Sequence, residues 1–176
     1  MKTRKHMGTP EFQDYIQPFL IDHSHIRGKV VRLGPTVDTI LSRHQYPASV
    51  SRLLAELIVL SAMLAANLKG KGILTVQLKG DGPVRFMVVD ADAKGEMRGC
   101  ADVSPDYKPN ARDTFRKLVG NGYLAITLDQ GKEPYQGIVE FTGKSLTETL
   151  QHYFTNSEQT AVRVRVAVGS EKKGKK

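Results

Sequence analysis

The stretch Ile73–Asp90, ILTVQLKGDGPVRFMVVD, decides how this chain reads. Two alternating runs, Ile73 to Lys79 and Val84 to Asp90, flank Gly80-Asp81-Gly82-Pro83. A period of two marks strands with distinct faces, and a glycine-rich break between two such runs marks a hairpin. On the C-terminal side, Glu96 to Ala101 predicts a third antiparallel strand. Arg112 to Val119 predicts a short helix stopped by Gly120. Tyr123 to Asp129 and Tyr135 to Phe141 then form a second hairpin-like pair. Ser145-Leu146-Thr147-Glu148 is a capping box, in which the serine accepts from an orphan helix N–H and the glutamate reaches back. The helix it opens places Leu146, Leu150, Tyr153 and Phe154 on one side. Ala161 to Val168, AVRVRVAV, predicts a last strand with its valines on one face and Arg163 and Arg165 on the other.

Before the hairpin, Ile26 to Leu33 predicts a first strand closed by Gly34-Pro35. A short helix follows, with Val37, Ile40, Leu41 and His44 at helical spacing, and it ends at Tyr46-Pro47. A long helix from about Pro47 to Leu68 is apolar nearly all round, which implies burial on several sides. The order is β-α-α-β-β-β-α-β-β-α-β. It predicts an α+β fold with a largely antiparallel sheet built from hairpins and packed with helices. A chain of 176 residues suits one such domain. The expected core is residues 16–169, with basic tails at 1–15 and 170–176.

Charge and cysteine content narrow the function classes. The net charge is +8, but Lys2, Arg4 and Lys5 supply three of it, and Lys172, Lys173, Lys175 and Lys176, less Glu171, supply another three. The folded body is close to neutral, which argues against a nucleic-acid face; the tails read as solvated. The single cysteine, Cys100, allows no internal disulfide and no multi-cysteine metal site, as in a reducing compartment. The N-terminus has no apolar run behind its basic residues, and Leu53 to Leu68 is interrupted by Glu56, Ser61 and Asn67. A cytoplasmic protein without a membrane partner is expected.

The catalytic inventory is poor. His23 and His25 form an H-x-H that a strand would set on one side, yet no cluster offers a third metal ligand; a solvated lead-in to the first strand is the favoured reading. The turns Gly70-Lys71-Gly72, Gly80-Asp81-Gly82 and Gly120-Asn121-Gly122 continue into neither a P-loop nor a dinucleotide fingerprint, and read as positive-φ turns. Ser24, Ser42, Ser61, His44 and His152 form no recognisable triad, and Arg98 is the only basic group near Cys100 in sequence. The expectation is a non-enzyme with no cofactor.

Both faces of the alternating strands carry apolar groups. Leu74, Val76, Leu78, Leu124, Ile126 and Leu128 form one; Ile73, Met87, Val89, Tyr123, Ala125 and Ile138, mixed with polar residues, form the other. Helices covering both sides would explain this, and the pattern alone favours that reading. The sharper reading is that the second face accepts apolar segments of other chains.

Six segments in this order and spacing are familiar together: the LxxHxYP run Leu41–Pro47, QLKGDGPV at Gln77–Val84, MRGCA at Met97–Ala101, LVGNGYLAIT at Leu118–Thr127, YQGIV at Tyr135–Val139, and SLTETLQHYFTNSEQ at Ser145–Gln159. The chain resembles the N-terminal domain of the heat shock protein 33 family over about Ile16 to Val168. The resemblance implies a redox-regulated holdase, an ATP-independent chaperone that binds unfolding proteins under heat and oxidative stress. It also implies a C-terminal module holding zinc through CxC and CxxC cysteines, whose oxidation uncovers client-binding surface and favours a homodimer. This chain ends at GSEKKGKK without that module or its linker, and Cys100 matches none of the zinc cysteines. Zinc and redox switching therefore carry over to no residue here. The expected activity is a holdase core whose client-binding residues are Ile73, Met87, Val89, Tyr123, Ala125 and Ile138. The alternative is an inert dimerisation or scaffold domain whose client binding needs the linker and zinc module. AVRVRVAV, if unpaired, is expected to promote association.

Overall fold

The computed structural model describes residues 13–110, 112–131 and 133–170. Of the tails expected at 1–15 and 170–176, residues 1–12 and 171–176 lie outside them. Asp14 and Tyr15, assigned above to the N-terminal tail, belong to the fold. The carboxylate of Asp14 accepts from the backbone N–H of Gly34 at 2.5 Å and of Thr36 at 2.9 Å. It thereby supplies the cap that Gly34 itself lacks at the start of helix α1 (Pro35–Leu41).

The first element among the described residues is a strand the reading above missed. β1 (Tyr15–Ile21) pairs antiparallel with β2 (Ile26–Arg32) as a separate two-stranded ribbon. Pro18 interrupts the apolar run and no residue of β1 is buried, so neither propensity nor alternation announces it. The turn between them is a short 3-10 segment, Asp22–Ser24, with His25 in the left-handed region at φ 51°. His23 and His25 thus sit in an exposed turn that leads directly into β2.

Helix α2 (Ala48–Ala65) explains its own composition. Val50, Leu54, Leu57 and Ile58 are fully enclosed, and the helix touches β2 on one side and the main sheet on the other. Lys29 of β2 reaches across its C-terminal end, donating to Asn67 Oδ1 at 2.6 Å and to the Met63 carbonyl at 3.4 Å. By length and composition α2 could cross a membrane, but here its apolar surface is spent inside the protein.

The main sheet has the order β5-β4-β3-β6-β7, all antiparallel. Its strands are β3 (Ile73–Gly80), β4 (Val84–Asp92), β5 (Met97–Val103), β6 (Gly122–Asp129) and β7 (Tyr135–Glu140). Helix α3 (Phe115–Val119) leads into β6, starting three residues later than expected because Thr114 caps it. Helix α4 (Leu146–Asn156) opens on Ser145, whose Oγ accepts from the Glu148 N–H at 3.2 Å. Glu148 reaches one residue further back than the capping box predicts, to the N–H of Lys144 at 2.6 Å. The α+β, single-domain reading holds, and the structural comparison below agrees with it.

Two glycine turns interlock at one end of the sheet. A Cβ on Gly80 would lie 2.0 Å from the Val119 carbonyl oxygen, and one on Gly82 would lie 2.6 Å from that of Leu118. Asp81 Oδ1 accepts from the Asn121 N–H at 2.7 Å, and Gly120 has φ 67°. Positive φ is therefore the reason for Gly120, whereas Gly80 and Gly82 are glycines because two backbones touch.

Residues 161–168 form no ladder, which corrects the expected last strand. Their alternation is real: Val164 is buried, Val162 and Val166 pack on the core, and Arg163 and Arg165 face solvent. A strand needs a hydrogen-bonded neighbour, and among the described residues this segment has only the Gln151 side chain, which accepts from the Val164 N–H at 2.8 Å.

Candidate functional site

The register of the sheet sorts its two faces. Leu78 pairs with Met87, and Val76 with both Val89 and Ile126, so all of these point to the side covered by α2. Met87 and Val89 are fully buried there. Their assignment to the second face is overturned. The hairpin pairs Lys79 with Phe86, an odd position with an even one, and a one-residue change of parity sends every side chain of β4 to the other side. Phe86 and Val88 occupy the places on the second face given above to Met87 and Val89.

That second face is open. It carries Ile73, Thr75 and Gln77 from β3, Phe86, Val88 and Asp90 from β4, Tyr123 and Ala125 from β6, and Ile138 from β7. Ile73 and Ile138 remain 47% and 56% exposed, and Tyr123, Phe86 and Val88 are half-buried. Ala125 lies on the same face, but it is only 2% exposed, so it forms the floor between larger neighbours. Helices on both faces, the reading that pattern favours, are not what this sheet has. Several of its polar groups are tied to one another. Thr75 Oγ1 donates to Asp90 Oδ1 at 2.6 Å, Arg98 Nε to Asp90 Oδ2 at 2.7 Å, and Gln136 Nε2 to Thr127 Oγ1 at 2.8 Å. Side chains paired in this way leave the apolar groups between them as the part of the face with unmet affinity.

A second open surface is the outer side of the ribbon. Tyr15, Phe19, Ile21, Ile26 and Val30 share one face by register, and each is between 44% and 50% exposed. The Phe19 ring lies over Gly28, filling the space a Cβ would take. Only the tertiary structure shows this surface, because the sequence reading had placed Tyr15 in a tail and Ile26 and Val30 in a strand, with no partner strand for them at Phe19 and Ile21.

The remaining candidate groups do not converge. Ser42 and His44 lie in the connection between α1 and α2, while Ser24, Ser61 and His152 lie in the ribbon turn, α2 and α4. His44 stacks on Tyr46, with ring centroids 5.1 Å apart, and Ser61 is enclosed within α2. Cys100 is half-buried on the open face opposite Val88. No group of three or more potential metal ligands occurs among the described residues. A cavity of about 130 Å³ beside the N-terminal half of α2 is lined by Ser49, Arg52, Glu56, Asp113 and Phe115, among others. Burial raises the Glu56 carboxyl above the ordinary range, partly offset by Arg52, and the one hydroxyl in the lining, Ser49, is paired with the Tyr107 hydroxyl at 2.9 Å.

Apolar side chains held open on a sheet face are the kind of feature that marks interaction sites. Comparison with known proteins gives the family. The family described as Hsp33 protein matches residues 14–176. A 33 kDa chaperonin of Caulobacter vibrioides is 41% identical over 168 residues, covering 92% of this chain and 56% of the relative. That of Proteus mirabilis is 40% identical over 158 residues, covering 89% of this chain and 53% of the relative. This chain belongs to the Hsp33 family. It spans about half the length of the curated relatives it matches. The crystal structure of a 33 kDa chaperonin (heat shock protein 33 homolog) from Thermotoga maritima shares the fold, with a TM-score of 0.72 at 24% identity over 82% of this chain and 51% of that one.

Proposed function

We propose that this chain is the polypeptide-holding core of a chaperone, an ATP-independent holdase that keeps unfolding cytoplasmic proteins from aggregating under heat and oxidative stress. The observation that carries the reading is the open sheet face, where Ile73 and Ile138 stand about half exposed and Tyr123 lies half-buried two residues along β6 beyond the partner of Ile138. Its relatives are named as chaperonins, and that supports the same reading. Clients bind across Ile73, Tyr123 and Ile138, with Ala125 as the floor and Phe86 and Val88 completing the surface.

Light scattering of a heat-unfolding model protein tests this. The chain suppresses aggregation at modest molar excess. Ile73→Thr combined with Ile138→Thr weakens suppression roughly thirtyfold, since each half-exposed isoleucine covered by a client contributes about 1 kcal/mol. Both side chains are exposed, so the melting temperature stays close to that of the parent. A parent chain that gives no suppression overturns the proposal in favour of a scaffold domain whose client binding needs the linker and zinc module.

A further inference from the structure

The charges of the open face are sorted by row. Ile73, 47% exposed, has Asp92 as its cross-strand neighbour on β4 and Asp129 as its neighbour on β6. The Asp92 N–H bonds to the Glu96 carbonyl at 3.1 Å, which brings Glu96 beside them. Among the described residues no lysine or arginine pairs with any of these three carboxylates, although Lys71 and Lys94 stand exposed in the flanking loops. The other rows are balanced. Asp90 meets Arg98 at 2.7 Å and Asp102 meets Arg85 at 2.9 Å, while the row of Lys79, Tyr123 and Glu140 carries one charge of each sign. Uncompensated carboxylates therefore gather at the Ile73 end, in a chain whose net charge is +8. There a groove of about 330 Å³ runs beside Ile73, lined by Asp90, Asp92, Glu96, Met97 and Arg98, among others. The turns hold two of the carboxylates in place. Asp92 Oδ1 accepts from the N–H groups of Lys94 at 2.8 Å and Glu96 at 2.9 Å, and Asp129 Oδ1 from that of Gly131 at 2.9 Å.

We propose that this end of the open face selects client segments in which an apolar residue is bracketed by lysines or arginines. The proposal rests on the open face holding clients, and it adds which segments are held. Asp92 and Asp129 flank Ile73 at two strand spacings, about 10 Å apart, a gap that about three residues of extended chain span. An apolar residue laid on Ile73 thus has the basic groups before and after it within reach of one carboxylate each. The Oδ1 atoms are already engaged by backbone N–H groups, so the carboxylates are ordered before a client arrives and little freedom is lost on pairing. A segment with acidic flanks meets like charge on both sides of the same isoleucine.

Fluorescence anisotropy with two labelled peptides, on the 176-residue chain, tests this. The peptides share the same Leu, Val and Ser residues and differ only in whether Lys or Glu flanks the apolar ones. The parent binds the Lys peptide about tenfold more tightly at low ionic strength. The net charge of +8 by itself predicts the opposite ranking, so the sign of the preference is decisive. Asp92→Asn combined with Asp129→Asn keeps an oxygen for each turn N–H and lowers the preference about threefold or more. Asp38→Asn, on α1, removes the same charge elsewhere and leaves the preference as it was. Should the double variant not fold, Asp129→Asn alone decides, with a fall of about twofold. Equal affinities, a preference for the Glu peptide, or a preference that survives these substitutions overturns the proposal. Each of those results leaves the holdase reading to the aggregation assay, which uses no charged probe. Binding of neither peptide overturns the proposal as well, whatever that assay gives.

Discussion

Asp113 organises a whole loop from one buried side chain. Its carboxylate pairs with Lys117 Nζ at 2.6 Å and accepts from the Tyr107 hydroxyl and from the Asn110 N–H, the latter at 2.9 Å. The Tyr107 hydroxyl also meets Ser49 Oγ at 2.9 Å, so the loop between β5 and α3 is pinned to the first turn of α2. Lys117, then Tyr107, then the Asn110 N–H hold the Asp113 carboxyl down to about 2. A carboxyl with a folded-state value below its unfolded one stabilises the fold fully above the unfolded value, near pH 4, and loses that effect as pH falls towards 2. Tyr107→Phe is expected to cost about 1–2 kcal/mol at neutral pH, by removing a donor from a buried carboxylate. In urea titrations from neutral pH downwards, Asp113→Asn should be less stable than the parent at pH 7, with the gap closing between about pH 4 and pH 2. A gap of constant size would place the stabilisation elsewhere.

At the scale of elements, the family segment Leu41–Pro47 acts at a distance from itself. Tyr46 leaves the end of α1, stacks on His44 and closes the edge of β5 through both backbone groups of Ala101. Tyr46→Phe keeps the ring and loses both bonds. It should lower stability by about 1–2 kcal/mol and speed hydrogen exchange at the Ala101 amide well beyond that of the neighbouring inward-facing amides. Unchanged exchange at Ala101 would mean that the hydroxyl does not guard the edge. Segment 161–168 is the opposite case, with strand-like alternation and no ladder. Side-chain burial was legible in AVRVRVAV because it depends on the chain's own period, but pairing depends on what lies alongside.

At the scale of the molecule, α2 lies between the ribbon and the sheet, and the remaining helices leave the far side of the sheet uncovered. Oxidation has one thiol to act on, Cys100, and a disulfide within the chain needs two. Holding activity of this chain is therefore expected to be the same in reducing and oxidising buffer and to survive Cys100→Ser. Aggregation suppression by the parent and by Cys100→Ser, each reduced and peroxide-treated, checks this. A peroxide-dependent gain that only the parent shows would make Cys100 a sensor.

The sequence by itself determined the α+β class, the central helix, the two hairpins and the family. Each is written in local periodicity, turn glycines or motif spacing, such as the mostly apolar run of α2 and the break at Gly80–Pro83. Only the tertiary structure decided that Met87 and Val89 are core while Phe86 and Val88 are surface, because parity across a turn depends on register. It alone revealed β1, whose exposed residues carry no burial pattern, and the open edge of β7. Whether a face or an edge is covered depends on residues far away in the chain, and no local pattern of side chains records their absence.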